Sequence, residues 1–239
     1  MDTQSITQND CDVAHTARIS RTAAFVGSRY ADRRILILGE SNWGVGDMTD
    51  ADYIQHWLYH PNFLKRAHCA LCVRLGRARH PGEKDYERDA QNDALTTMML
   101  GWPRRVTDDA RRDAWSQIAF ANFITHPGET RSEADRPTDE NWHQSAREFP
   151  ITLALLRPRP RVCLVLDSPS GRLSSVAGPL LSTAGVRVVR LAHPTMRPAP
   201  KRSVRAEKWA EVLVQSTQEM SAGGGDLTEN LTRDHANLA

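Results

Sequence analysis

No apolar run in this 239-residue chain approaches the roughly 20 residues that span a bilayer. The first ten residues, MDTQSITQND, are polar and lack the apolar centre of a secretory leader. Those two absences exclude a helical membrane protein and point to a soluble, cytosolic chain. There its four cysteines, Cys11, Cys69, Cys72 and Cys163, stay reduced. Charge of one sign is missing too. A net charge of +2 gives no whole-molecule field, so any affinity for a polyanion must come from a local patch. There is no internal repeat. The length suits one well-cored domain, which we place at residues 14–220. Residues 1–13 and the Gly-, Ser- and Asn-rich 221–239, with three consecutive glycines at 223–225, read as flexible termini.

Four short apolar segments read as strands: 34–39 (RILILG), 117–124 (QIAFANFI), 161–166 (RVCLVL) and 186–191 (VRVVRL). The first and third are nearly continuous apolar runs, which suit strands covered on both faces. Helical patterns separate them, over 16–30, 50–65, 86–100, 107–115, 139–156, 170–184 and 203–220. Thr107 and Thr138 are the expected N-caps, and Gly185 the expected residue just past a helix end. Alternating strands and helices imply crossover connections. The expected fold is an α/β/α three-layer sandwich around a short four-stranded parallel sheet. Ligands of such sheets sit beyond the carboxyl ends of the strands. That rule singles out 40–44, 122–128 and 193–196.

The first strand empties into Gly39-Glu40-Ser41-Asn42-Trp43-Gly44. A glycine there lets backbone approach a ligand, and a carboxylate can orient water or stabilise a developing cation. Taken alone, the stretch equally describes a polar turn. The second strand carries Asn122 between two phenylalanines; its amide offers donor and acceptor together, as a nucleobase edge requires. A buried Asn that satisfies neighbouring backbone has the same signature. The fourth strand ends at His193-Pro194-Thr195-Met196, where a neutral imidazole can donate to an oxygen gaining negative charge. Between positions 190 and 210 there are six basic residues and one acidic one, a local +5. That is a phosphate-binding composition if it faces the crevice, and an ordinary solvated surface if it does not.

Taken together, the segments ILILGESNWG, WSQIAFANFITHPGETRSEADRPTDENW, LLRPRPRVCLVL and VVRLAHPTM resemble the uracil-DNA glycosylase superfamily in order and spacing, from about position 33 to 196. The resemblance implies a DNA glycosylase that flips a base out of the stack and hydrolyses its N-glycosidic bond without a cofactor. Glu40 would orient the attacking water or stabilise an oxocarbenium-like sugar. His193 would hydrogen-bond the uracil O2 as the base leaves. Gly39, Ser41 (through its backbone N–H), Trp43, Asn122 and Phe123 would hold the base, with the Trp43 ring disfavouring a thymine methyl. Met196 would wedge into the duplex, and Arg197, Lys201, Arg202 and Arg205 would hold phosphates. The sequence departs from the family pattern at Asp167, where a glycine is usual, and at Thr195, where a serine is usual. A stacking aromatic after the first loop has three candidates, Tyr53, Trp57 and Phe63.

Two other functions fit parts of the same text. One is a catalytically silent relative that binds nucleic acid through the basic stretch. The other is a serine hydrolase using Ser41 and His193, with no acidic partner identified. Cys69 and Cys72 are spaced like half of a metal site but read better as packing residues, and His56, His60, His68 and His80 have no ligand spacing. We therefore expect no metal, a nucleic-acid partner, most simply DNA, no membrane and a monomer.

Overall fold

A computed structural model describes residues 24–41, 54, 58, 86–125, 137–194 and 198–218. These residues form an α/β fold around one five-stranded mixed sheet. Its strands are β1 (Phe25–Val26), β2 (Ile35–Ser41), β3 (Ile118–Ile124), β4 (Val162–Asp167) and β5 (Arg187–Ala192). The order across the sheet is β1-β3-β2-β4-β5. β3, β2, β4 and β5 are mutually parallel. β1 runs antiparallel to β3, pairing Phe25 with Phe120 and Val26 with Ala119.

The sheet thus has five strands rather than the four parallel ones expected. Residues 16–30 do not read as one helix where the structure describes them: Phe25 and Val26 are strand, and only α1 (Tyr30–Arg33) is helical. The reason is local. Gly27 donates its N–H to the Ile118 carbonyl at 2.9 Å, and Arg29 donates to the Ser116 carbonyl at 2.7 Å. A β-carbon on Gly27 would collide with the Trp115 and Ser116 carbonyls, so only glycine lets the chain come this close to β3.

Helices cover both faces, and strand alternation decides which residues meet them. On one face, Ile35, Ile37, Ile118, Phe120, Val162, Leu164, Leu166, Val189 and Leu191 join one buried cluster. α2 (Tyr86–Met99), α3 (Asp108–Ser116) and α6 (Arg202–Thr217) supply its Leu95, Met98, Trp115, Trp209 and Val212. Ile54 and Leu58, helical and buried, belong to it as well; they are the only described residues of the helix expected over 50–65. Trp115 anchors this layer. It lies edge-on to Phe25 at 6.0 Å and donates its indole N–H to Thr96 Oγ1 at 2.8 Å, so its one polar atom is satisfied in the core.

On the other face, Leu36, Leu38, Ala119, Ala121, Phe123, Cys163 and Val165 pack under α4 (Asp139–Leu155) and α5 (Arg172–Thr183). Phe123 meets Trp142 at 5.6 Å and Phe149 at 5.2 Å. The helix starts follow their sequence signals. Thr107 Oγ1 accepts the Ala110 N–H at 3.2 Å. Thr138 and Asn141 form a reciprocal capping box: Asn141 N–H donates to Thr138 Oγ1 at 3.3 Å and Thr138 N–H to Asn141 Oδ1 at 2.9 Å. Gly185 takes a positive φ of 73° just beyond α5.

No helix among the described residues is long and apolar enough to cross a membrane. Residues 1–23 and 219–239, with Cys11, Cys69, Cys72, His56, His60, His68 and His80, lie outside the described residues.

Candidate functional site

β2 leads to β3 on one side of it, and β4 leads to β5 on the other. The order of connection therefore reverses between β2 and β4. In an open parallel sheet that reversal opens a crevice at the carboxyl ends, because the helices that follow the two strands leave on opposite faces. The residues at those ends are Asn122 on β3, Gly39, Glu40 and Ser41 on β2, Asp167 on β4, and His193 just past β5.

The Asn122 carboxamide lies across Gly39. The two residues are register partners, and a β-carbon on Gly39 would collide with Asn122 Oδ1 and come within 3.5 Å of the Phe120 ring. Glycine at 39 is what allows the amide to turn over β2. Asn122 itself is 6% exposed. Phe123 points to the opposite face, into the α4 layer with Trp142 and Phe149, so it packs core rather than standing beside Asn122.

Glu40 is still strand, since β2 continues through Ser41; the loop expected to begin at Glu40 begins later. Alternation then sends Glu40 to the α4/α5 face, with Leu36 and Leu38, and Gly39 to the other, with Ile35 and Ile37. Asn122 and His193 follow Phe120 and Leu191 on the Gly39 face. The expected trio thus shares one edge but not one face: Asn122 and His193 approach from the α2/α6 side, Glu40 from the α4/α5 side. A ligand seated beyond the edge meets both. Burial holds the His193 imidazole below its ordinary value of 6.5, so it is neutral at pH 7.

Asp167 was not singled out as a site residue from the sequence. It closes the apolar run VCLVL at the carboxyl end of β4. The β2–β4 ladder runs from Ile35–Val162 to Leu38–Val165, and Asp167 lies two residues beyond its last pair. Its carbonyl accepts the His193 N–H at 2.8 Å, fixing the turn beyond β5. Its side chain is 7% exposed, and Oδ1 has no hydrogen-bond partner. An acidic residue ending a buried parallel strand was the available signal.

The basic stretch reaches the same edge. Arg161 Nη1 donates to the Ser216 carbonyl at 3.2 Å and Arg187 Nη1 to Gln218 Oε1 at 2.8 Å, tying the end of α6 to the starts of β4 and β5. Sixteen residues of helix span about 24 Å, so the first turn of α6 returns to the carboxyl side. Lys201 is exposed there. Arg202 and Arg205 lie over the Trp102 ring at 5.3 and 5.9 Å. Lys208, one turn further on, is held by Glu211 at 2.9 Å.

Trp43, Met196 and Arg197 lie outside the described residues, as do Thr195 and the candidate stacking residues Tyr53, Trp57 and Phe63. Ser41 is described through its backbone, which pairs with Ile124. β4 stands between β2 and β5, so Ser41 and His193 are on non-adjacent strands. Among the described residues, no three His, Cys, Asp or Glu side chains converge as a metal site, and Cys163 is a buried core thiol. Comparisons of the chain with protein-family models, with curated proteins and with solved structures return no match.

Proposed function

We propose that the protein is a DNA glycosylase of the uracil-DNA glycosylase type, hydrolysing the N-glycosidic bond of uracil or another deaminated base. The observation that carries the reading is the Asn122 carboxamide laid across Gly39 beside Glu40, at the reversal point of the sheet. An asparagine amide carries a donor and an acceptor together, the pairing a base edge requires. The base would rest on the Asn122 and Gly39 side, with its sugar over the edge towards Glu40. The Glu40 carboxylate would then orient water at the anomeric carbon or stabilise its developing positive charge. His193, neutral because burial disfavours its cation, would donate to the base oxygen that gains charge as the bond breaks. Lys201, Arg202 and Arg205 at the start of α6 supply positive charge for the flanking phosphates.

The test is base release from an oligonucleotide carrying one deoxyuridine, in single- and double-stranded form, read by alkaline cleavage of the abasic site. The proposal expects release by the wild type and its loss in Glu40→Gln and His193→Ala, with DNA affinity kept. Release unchanged in Glu40→Gln removes Glu40 from the reaction.

One observation favours a second reading. Glu40 leaves β2 on the face opposite Asn122 and His193, as a retained binding crevice without catalysis would tolerate. Salt-dependent DNA affinity with no release of any deaminated base is its signature.

A further inference from the structure

Two separate segments of the chain meet at the Trp102 ring. α2 runs out in a pair of backbone hydrogen bonds: Trp102 donates its N–H to the Thr97 carbonyl at 2.9 Å and Gly101 donates to the Met98 carbonyl at 3.1 Å, the turn a glycine makes just past a helix end. Gly101 takes a φ of 70°, which suits it. Trp102 follows with a φ of 60°, a conformation that bulky side chains rarely adopt. The indole packs against the apolar cluster of the α2/α6 face, and Arg202 and Arg205 lie over it at 5.3 and 5.9 Å from the ring centre. Around the ring, residues 101–107 and 198–206 hold Arg104, Arg105, Lys201, Arg202 and Arg205 and no acidic residue. Arg104, Arg105, Lys201 and Arg202 are exposed, and none of the five has an ion-pair partner among the described residues. The acidic side chains that open α3 are taken, Asp108 by Arg111 at 2.7 Å and Asp109 by Arg112 at 2.5 Å. Helix stability does not account for the cluster either. Lys201 and Arg202 stand at the positive end of the α6 dipole, with no acidic residue in the first turn to offset them.

We infer that Trp102, Arg104, Arg105, Lys201, Arg202 and Arg205 form one surface that holds the phosphodiester backbone of a nucleic-acid strand, with Trp102 as the residue that positions Arg202 and Arg205. The inference rests on the reading above, which selects a nucleic-acid strand among the polyanions such a surface could hold. A guanidinium carries its donors in its own plane, so one laid against an aromatic face keeps them for phosphate oxygens. The ring also restrains two long side chains whose ordering would otherwise count against binding. Arginine outnumbers lysine here, and its fork meets two phosphate oxygens at once where an ammonium acts as a point charge. α6 begins on the carboxyl side of the sheet, and the contacts of Arg202 and Arg205 bring Trp102 to that side as well. A strand with one nucleotide at the carboxyl edge would run on over these cations, with Arg104 and Arg105 extending the phosphate contacts beyond α6.

The test uses the full chain and a labelled oligonucleotide carrying one deoxyuridine, single-stranded and as a duplex. Affinity is read by fluorescence anisotropy across a salt series, and base release on the same oligonucleotide. Replacing Arg104 and Arg105 together by Gln is expected to lower affinity about tenfold. It should also flatten the dependence of log affinity on log salt by about 1.4 for the single strand or about 1.8 for the duplex, which tells the two sources of phosphate apart. Replacing the exposed Arg147 and Arg157 by Gln removes the same charge elsewhere and should leave both readings near the wild type. Trp102→Leu keeps every charge and is expected to weaken binding about fivefold, with Trp102→Phe restoring most of it. Equal losses in the two arginine pairs, or anionic phospholipid vesicles or polyglutamate bound as tightly as the oligonucleotide, overturn the inference. Trp102→Leu binding as well as the wild type removes the positioning role; should that variant fail to fold, Trp102→Phe and the arginine pairs still decide. Affinity lost with Arg104 and Arg105 but no base released by any form leaves the surface standing and removes the glycosidic reading. Base release by the wild type, with affinity equal in the Arg104 and Arg105 variant, does the reverse.

Discussion

The two ends of the one sheet carry opposite chemistry. At the amino end, polar groups serve the fold. Arg34 donates from Nε to the Arg159 carbonyl at 2.7 Å, Arg161 and Arg187 reach the end of α6, and Arg29 pairs with Asp113. At the carboxyl end, polar groups enter the strands themselves: Asn122 and Asp167 are the two buried polar residues of β3 and β4, and Oδ1 of Asp167 has no partner. Between the ends, β3 and β4 are buried throughout, and the other residues of β4 are apolar. The amino end also holds a buried polar atom without a partner, Tyr30 Oη, but only at the carboxyl end do buried polar side chains sit within β3 and β4, on the edge where a sheet of this topology receives ligands.

That contrast is sharpened or broken by substitution. The largest effect is expected at the carboxyl end, on activity: Glu40→Gln lowers base release about a hundred- to ten-thousandfold in a single-turnover assay while the unfolding midpoint stays put. A midpoint that falls with the activity would make Glu40 a structural residue like the arginines opposite. Within the apolar span, Leu164→Ala removes a fully buried side chain shared with Ile37 and Val189, and is expected to cost about 2–5 kcal/mol in denaturant unfolding. Thr138→Ala removes half of the capping box and costs about 1 kcal/mol by the same measurement, with base release unchanged.

The smallest effect is a pH dependence. Because burial lowers the folded-state value of His193, the unfolded chain takes up the proton first as pH falls. Stability from this group is present above the ordinary value of 6.5 and drains away below it, towards the lowered folded value. His193→Gln should flatten the unfolding midpoint against pH in that window and leave it alone above pH 7. An equally steep profile in the variant would assign the slope to another group.

Much of the frame was legible. The runs at 34–39, 117–124 and 161–166 are strands whose residues, buried on both faces, leave a continuous apolar signature, whereas the edge strand in 186–191 alternates buried with exposed residues. Thr107 and Thr138 cap their helices, as expected of a threonine just ahead of a helical pattern. Phe25–Val26 was not legible. Two residues carry no period, and their pairing depends on Gly27 approaching a carbonyl pair some ninety residues away. Asn122 and His193 were found through their strand ends. The face from which Glu40 leaves was missed because it turns on β2 continuing through Ser41, and one residue of strand reverses every side chain. Asp167 stood at a strand end in plain text, but its lack of a partner is a property of the packed interior. So is the coverage of Trp102 by Arg202 and Arg205, which engages two of the expected phosphate ligands with a neighbouring ring.

The central claim is that ligand binds at the carboxyl end of the sheet and not at the amino end. Backbone amide resonances of isotopically labelled protein, followed during titration with a single-stranded oligonucleotide carrying one deoxyuridine, test it directly. The account predicts that the largest shifts fall at Gly39, Asn122, Asp167 and His193, with Arg34, Arg161 and Arg187 unmoved. Shifts concentrated at those three arginines, with the carboxyl end silent, would contradict it.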